Sequence, residues 1–101
     1  MFPEYIEQFA QKVDGNIDKH DVIVFTISTC QWCKKCKKYL KEKNIQYRYI
    51  DIDLLDLEHK GKILKFLREK FQPSRIAYPF LICDGDFVVG YNSEKYEELM
   101  K

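Results

Sequence analysis

The stretch Val22-Ile23-Val24-Phe25-Thr26-Ile27-Ser28-Thr29-Cys30-Gln31-Trp32-Cys33-Lys34-Lys35-Cys36 decides how this chain is read. Val22 to Phe25 is apolar without alternation and rich in β-branched residues, the pattern of a strand buried on both faces. After it, Lys34, Lys35, Lys37 and Lys38 point away from Cys33, Cys36 and Leu40, which predicts an amphipathic helix ending near Asn44. The pair Cys30 and Cys33 therefore stands where a buried strand gives way to a helix.

That position matters more than the spacing. A helix N-terminus presents free amide hydrogens and the positive end of the macrodipole, and both stabilise a thiolate at Cys30. The more accessible Cys30 is the expected nucleophile. Cys33, roughly one helical turn further in, is placed to attack the resulting mixed disulfide and release the reduced product. Lys34 and Lys35 either lower the Cys30 pKa further or are simply solvated. The competing use of a C-x-x-C pair is half of a zinc site, which requires a second pair or nearby histidines. His20 and His59 read as exposed polar residues in connecting or helix-start segments, so no metal site is expected. Trp32, at the entry to the helix, reads as a partly exposed platform beside the sulfurs.

Working outward, Phe2, Ile6, Phe9, Ala10 and Val13 recur at helical spacing, predicting a helix over residues 3–14 that stops at Gly15-Asn16. Tyr47 to Ile52 is aromatic and β-branched, a second strand, and strand-helix-strand implies a parallel crossover. Ile63, Leu64, Leu67 and Phe71 define another helix, stopped before Pro73. The apolar runs 80–83 and 87–89 flank Asp84-Gly85, a two-residue hairpin signal. Ser93 with Glu94 caps a last helix carrying Tyr96, Leu99 and Met100. A four-stranded mixed sheet with helices on both faces and an extra N-terminal helix accommodates this α/β order.

The 101 residues suit a single domain spanning 1–101, and the hydrophobic fraction of 46% supplies its core. A net charge of +1 recommends neither nucleic acid nor membrane as partner. The acidic and amide-bearing start, with no apolar run of membrane-spanning length, points to a cytoplasmic protein. Three of the four cysteines lie too close together to staple distant segments, which argues against a secreted disulfide framework.

Taken in order, Val22-Ile-Val-Phe25, Cys30-Gln-Trp-Cys33, Ala77-Tyr-Pro79, Asp84-Gly85 and Gly90 resemble the glutaredoxin family over nearly the whole chain. The resemblance implies a thioredoxin-like fold, a nucleophilic Cys30 and a cis-proline at Pro79 facing it, with the backbone of Tyr78 free to pair with an extended thiol substrate. From the residues alone, Pro79 also reads as the start of an edge strand. Thioredoxin is a poorer match, because Trp32 lies inside the motif and the preceding strand holds no buried acid. Glutathione-using members resemble one another in a Lys three residues before the nucleophile and in a Gly-Gly pair, where this chain has Ile27 and Val89-Gly90. The run from Gly90 and Tyr91 to Lys95 looks more like the redoxins that reduce ribonucleotide reductase, and Gln31 is similar to their polar motif interiors. The resemblance implies a disulfide-containing protein substrate contacted by Gln31, Trp32, Tyr78, Pro79, Gly90 and Tyr91. It further implies a flavoprotein reductase or glutathione as electron donor, and no cofactor beyond a redox-active Cys30-Cys33 disulfide.

Two rival readings remain at this point. Cys30, Cys33, Cys36 and Cys83 have the ligand count for an iron–sulfur cluster, although Cys36 on the apolar helix face and Cys83 at the end of a core strand also suit plain packing. A non-catalytic adaptor on the same fold is the other.

Overall fold

The computed structural model describes residues 2–100. Its elements are α1 (Glu4–Glu7), β1 (Gln11–Val13), β2 (Val22–Thr26), α2 (Gln31–Glu42), β3 (Tyr47–Asp51), a short 3-10 turn (Ile52–Leu54), α3 (Leu57–Phe71), β4 (Phe80–Cys83), β5 (Asp86–Val89) and α4 (Ser93–Leu99). The strands form one sheet in the order β1-β3-β2-β4-β5. β2 and β3 run parallel, and the other three pairings are antiparallel. This is an α/β thioredoxin-like fold.

All five residues of central β2 are buried, as the unbroken apolar run requires. Val22 and Val24 face one core layer with Cys36, Leu40 and Tyr96, from α2 and α4. Ile23 and Phe25 face the opposite layer with Ile6, Ile63 and Leu67, from α1 and α3. The sheet thus separates two apolar layers, each closed by two helices.

The sheet has a fifth strand where four were expected, and it comes from the segment read as one helix over 3–14. The helix covers only Glu4–Glu7, and Gln11–Val13 pairs antiparallel with Tyr47–Tyr49 as an edge. The apolar spacing misleads because its members serve opposite faces. Ile6, Phe9 and Ala10 pack with the α1 and α3 layer, whereas Val13 packs with the other, which a continuous helix could not achieve. Arg48 on β3 secures the N-terminal turn through an ion pair to Glu7 and a 2.9 Å pair to Asp21. Gly15 is a close-approach position: a Cβ there would lie 2.7 Å from backbone atoms of Asn44, Ile45 and Gln46. The last helix is capped by Asn92, whose side chain accepts from the Lys95 N–H at 3.1 Å, one residue before the expected Ser93. The Asp84-Gly85 hairpin and the stop before Pro73 stand where the sequence puts them. No described helix is long and apolar enough to cross a membrane.

Candidate active site

The end of β2 is tied down before the motif begins. Thr26, the buried polar residue of the core, places Oγ1 2.6 Å from Asp51 Oδ1 at the matching end of β3, and Asp51 pairs with Lys37 of α2 at 3.3 Å. Two residues further along both strands, Ser28 N–H and Oγ–H donate to the Asp53 carboxylate at 2.8 and 2.5 Å. These two bonds hold the Asp53 carboxyl below its usual range and fix the turn from which Cys30 emerges. Sequence reading missed both acids. The parallel register that sets Thr26 opposite Asp51, carried two residues further, is the signal that would have found Asp53.

Cys30 is the N-cap of α2, with extended backbone, and its sulfur accepts the Cys33 N–H at 3.3 Å. A sulfur here therefore performs the capping that a serine or aspartate oxygen performs elsewhere. Cys30 is half-buried and Cys33 only 1% exposed. Both are free thiols. Burial, and next the contact with Cys30, push the Cys33 thiol up to about 12. The outer sulfur is thus the one a substrate can reach.

Around Cys30 the structure gathers the other singled-out residues. The Tyr78-Pro79 peptide is cis, and the Tyr78 carbonyl lies 3.9 Å from Cys30 Sγ. Gly90 N–H donates to the Pro79 carbonyl at 2.8 Å, tying the end of β5 to the proline turn. Gly90 has φ 85°, and a Cβ would meet nothing within 4 Å, so the demand for glycine comes from the dihedral rather than from space. Trp32 is 56% exposed and stacks on Tyr91 with centroids 6.1 Å apart and planes at 24°. Lys35 Nζ sits 4.5 Å over the Trp32 ring. Gln31 is exposed at the first helical position. Ile27 and Val89 are half-buried and pack with the α1 and α3 layer.

Cys36 is fully buried on the inner face of α2, and burial pushes its thiol up to about 12. Cys83 pairs with Val22 at the start of β2, the end opposite the one that leads to Cys30. A single cluster held by all four cysteines is therefore not favoured. The histidines are less exposed than expected. His59 lies at the start of α3, 2.5 Å from Asp56 and edge-on to Phe9, and His20, its side chain 13% exposed, pairs with Asp84 at 2.6 Å.

A parallel strand, a C-x-x-C pair capping the following helix and a cis-proline beside the outer sulfur define a thioredoxin-fold protein built for thiol chemistry. Residues 22–88 match the glutaredoxin family model, and the chain belongs to the glutaredoxin family. It is 30% identical to a glutaredoxin-like 8.6 kDa protein in the rubredoxin operon of Clostridium pasteurianum, over 77% of this chain and 95% of that one. To glutaredoxin 1 of Rickettsia conorii it is 39% identical over 46% of this chain and 45% of that one. The crystal structure of Methanosarcina acetivorans methanoredoxin superposes with a TM-score of 0.72 at 29% identity, covering 85% of this chain and 88% of that one. The protein is a glutaredoxin-like thiol–disulfide oxidoreductase, a family whose substrates are disulfides and whose electrons come from glutathione or a reductase.

Proposed function

We propose that the protein is a dithiol electron carrier in which Cys30 attacks a protein disulfide and Cys33 resolves the intermediate. The observation that carries this reading is the asymmetry of the pair: a reachable sulfur that accepts a helix N-terminal N–H, backed by a buried one. The Cys30 thiolate forms a bond to one substrate sulfur while the substrate S–S bond breaks, and the departing thiolate takes a proton from water. Cys33 then loses its proton and attacks Cys30, forming the Cys30-Cys33 disulfide and releasing the second substrate thiol. Two electrons have passed to the substrate.

The order of events is supported by what raises the Cys33 pKa. After burial, the hydrogen bond with Cys30 and the charge on its sulfur push the Cys33 thiol up. Once Cys30 is tied up in a mixed disulfide, both are gone and Cys33 deprotonates more readily. Resolution is thereby favoured only after attack.

In this reading Trp32 and Tyr91 form an aromatic shelf on one side of Cys30, with Gln31 at its edge. Tyr78, Pro79 and Gly90 offer backbone along which an extended substrate segment pairs. The carrier works in the cytoplasm, where thiols stay reduced, and requires no bound cofactor. A flavoprotein reductase is the preferred donor, because Ile27 stands where the glutathione-using members carry a lysine and Val89 adds bulk where they carry glycine. Loss of one charge-assisted contact costs about 1.5–3 kcal/mol. The likeness of Gly90 to Lys95 to the redoxins that reduce ribonucleotide reductase supports the same donor class. The experiment is to measure reduction of the Cys30-Cys33 disulfide by glutathione and by a thioredoxin-reductase system in parallel. Faster reduction by the flavoprotein is expected. Faster, saturable reduction by glutathione contradicts the donor assignment, and no turnover with either contradicts the carrier role.

A further inference from the structure

Gly90 is a weak point in the surface around Cys30. Its φ of 85° lies in the region that glycine enters freely, and a Cβ there would meet no described atom within 4 Å, so neither a side chain nor crowding fixes its backbone. Rotation about its ψ swings the peptide that leads to Tyr91 and re-aims that ring. Both polar groups of Gly90 are nevertheless engaged. Its N–H donates to the Pro79 carbonyl at 2.8 Å, and its carbonyl accepts the Tyr96 hydroxyl, also at 2.8 Å.

Tyr96 stands in the first turn of α4, where its N–H donates to the carbonyl of the capping residue Asn92 at 3.0 Å. Its side chain is fully buried in the layer that it shares with Val24, Cys36 and Leu40. From this layer it reaches the substrate side twice. The hydroxyl holds Gly90, and the ring meets Tyr91 edge-on with centroids 5.8 Å apart and planes at 78°, while Tyr91 in turn stacks on Trp32. Filling the layer needs only a ring. A phenylalanine does that without burying a hydroxyl, which is unfavourable unless an acceptor is met. Burial pushes the Tyr96 phenol above its usual range, so the hydroxyl remains a donor at neutral pH.

We propose that Tyr96 is a positioning residue for the substrate surface: its hydroxyl locks the Gly90 peptide and thereby holds the Tyr78-Pro79 turn and the Tyr91 ring in register for an extended protein disulfide. It touches no reacting atom. The Cys30 sulfur is set by the N-terminus of α2, to which α4 contributes no hydrogen bond. Loss of the hydroxyl therefore weakens docking and leaves the thiol chemistry as it was. This inference rests on the docking role proposed above for Tyr78, Pro79, Gly90 and Tyr91.

The test compares Tyr96→Phe with the parent in single turnovers, the pre-reduced protein being mixed with excess disulfide and followed by the fluorescence of Trp32, the one tryptophan of the chain. Insulin supplies an extended protein disulfide, and bis(2-hydroxyethyl) disulfide is too short to lie along the strand. For insulin, Tyr96→Phe should raise the half-saturating concentration about threefold to tenfold with the limiting rate nearly unchanged. Its rate with the small disulfide should equal that of the parent. Tyr39→Phe is the control, because it removes a hydroxyl from the ring that packs on Tyr96 at 5.7 Å without touching Gly90; it should behave as the parent with both substrates. Circular dichroism and rates at a low temperature exclude unfolding as the cause. Should Tyr96→Phe not fold, NMR of the unsubstituted protein decides: a Tyr96 hydroxyl proton protected from exchange, with Gly90 and Tyr91 rigid, supports the lock, and exchange at the solvent rate overturns it. Equal losses with insulin and the small disulfide, an unchanged half-saturating concentration, or the same loss in Tyr39→Phe would also overturn it. A parent inactive towards both disulfides would instead contradict the electron-carrier reading, so the two failures are distinct.

Discussion

The backbone N–H of Cys33 donates to the sulfur of Cys30 at 3.3 Å. The donor is main chain, so it survives any change of the Cys33 side chain, and the helix holds the outer sulfur whether or not the inner one is present. Attack and resolution can therefore be separated by substitution.

The exposed shelf beside Cys30 is the part of the site that substrate contact explains and packing does not. Trp32, 56% exposed, contributes little to the core. Trp32→Ala should leave the melting temperature within a few degrees of the parent. It should raise KM for a protein disulfide with little change in kcat, lowering kcat/KM by about twofold to tenfold, the worth of an aromatic contact of ~0.5–1.5 kcal/mol. Steady-state kinetics on a protein disulfide checks this. An unchanged KM would remove Trp32 from the docking surface.

Gly90 links the proline turn to the end of β5. With φ at 85°, Gly90→Ala has room for its methyl group but not the preferred dihedral, at a cost of ~1–2 kcal/mol. For a chain of this size that is a fall of roughly 4–8 °C per kcal/mol in melting temperature. Because Gly90 N–H holds the Pro79 carbonyl, activity should fall at temperatures where the variant is still fully folded. Thermal melts and rates at a low temperature separate the two effects.

Much of the frame was legible because it rests on local pattern. The apolar run of β2, the lysine and cysteine faces of α2 and the Asp84-Gly85 turn each depend on neighbours in sequence. What escaped reading depends on partners far apart. The spacing of Val13 from Phe9 fits a helix, and only its pairing with Tyr47 reveals the edge strand. The clamp of Asp53 on Ser28 spans 25 residues and the contact of His20 with Asp84 spans 64. Neither residue type announces such a contact. Asn92 displaced Ser93 as cap because the chain enters α4 extended one residue earlier, a boundary that two adjacent capping residues cannot resolve.

The reduced protein should lose stability in alkali. Burial raises Cys33 and Cys36 from the ordinary value of 9.0 to about 12. Between those values the folded state keeps thiol protons that the unfolded chain has released, so unfolding free energy falls as pH rises. Their contribution is fully present below pH 9 and is lost as pH climbs through about 12. Cys36→Ala removes one such group and should make the decline shallower. Urea unfolding under reducing conditions at several alkaline pH values measures the slope, and equal slopes in parent and variant would contradict the assignment.

The most direct measurement is mass spectrometry of Cys33→Ser after exposure to a protein disulfide. The variant retains the helix N–H on the Cys30 sulfur and lacks only the resolving thiol. It should accumulate a one-to-one mixed disulfide through Cys30, released by added thiol and absent from Cys30→Ser. Failure of Cys33→Ser to form that adduct, or its formation at another cysteine, would contradict a mechanism in which Cys30 attacks and Cys33 resolves.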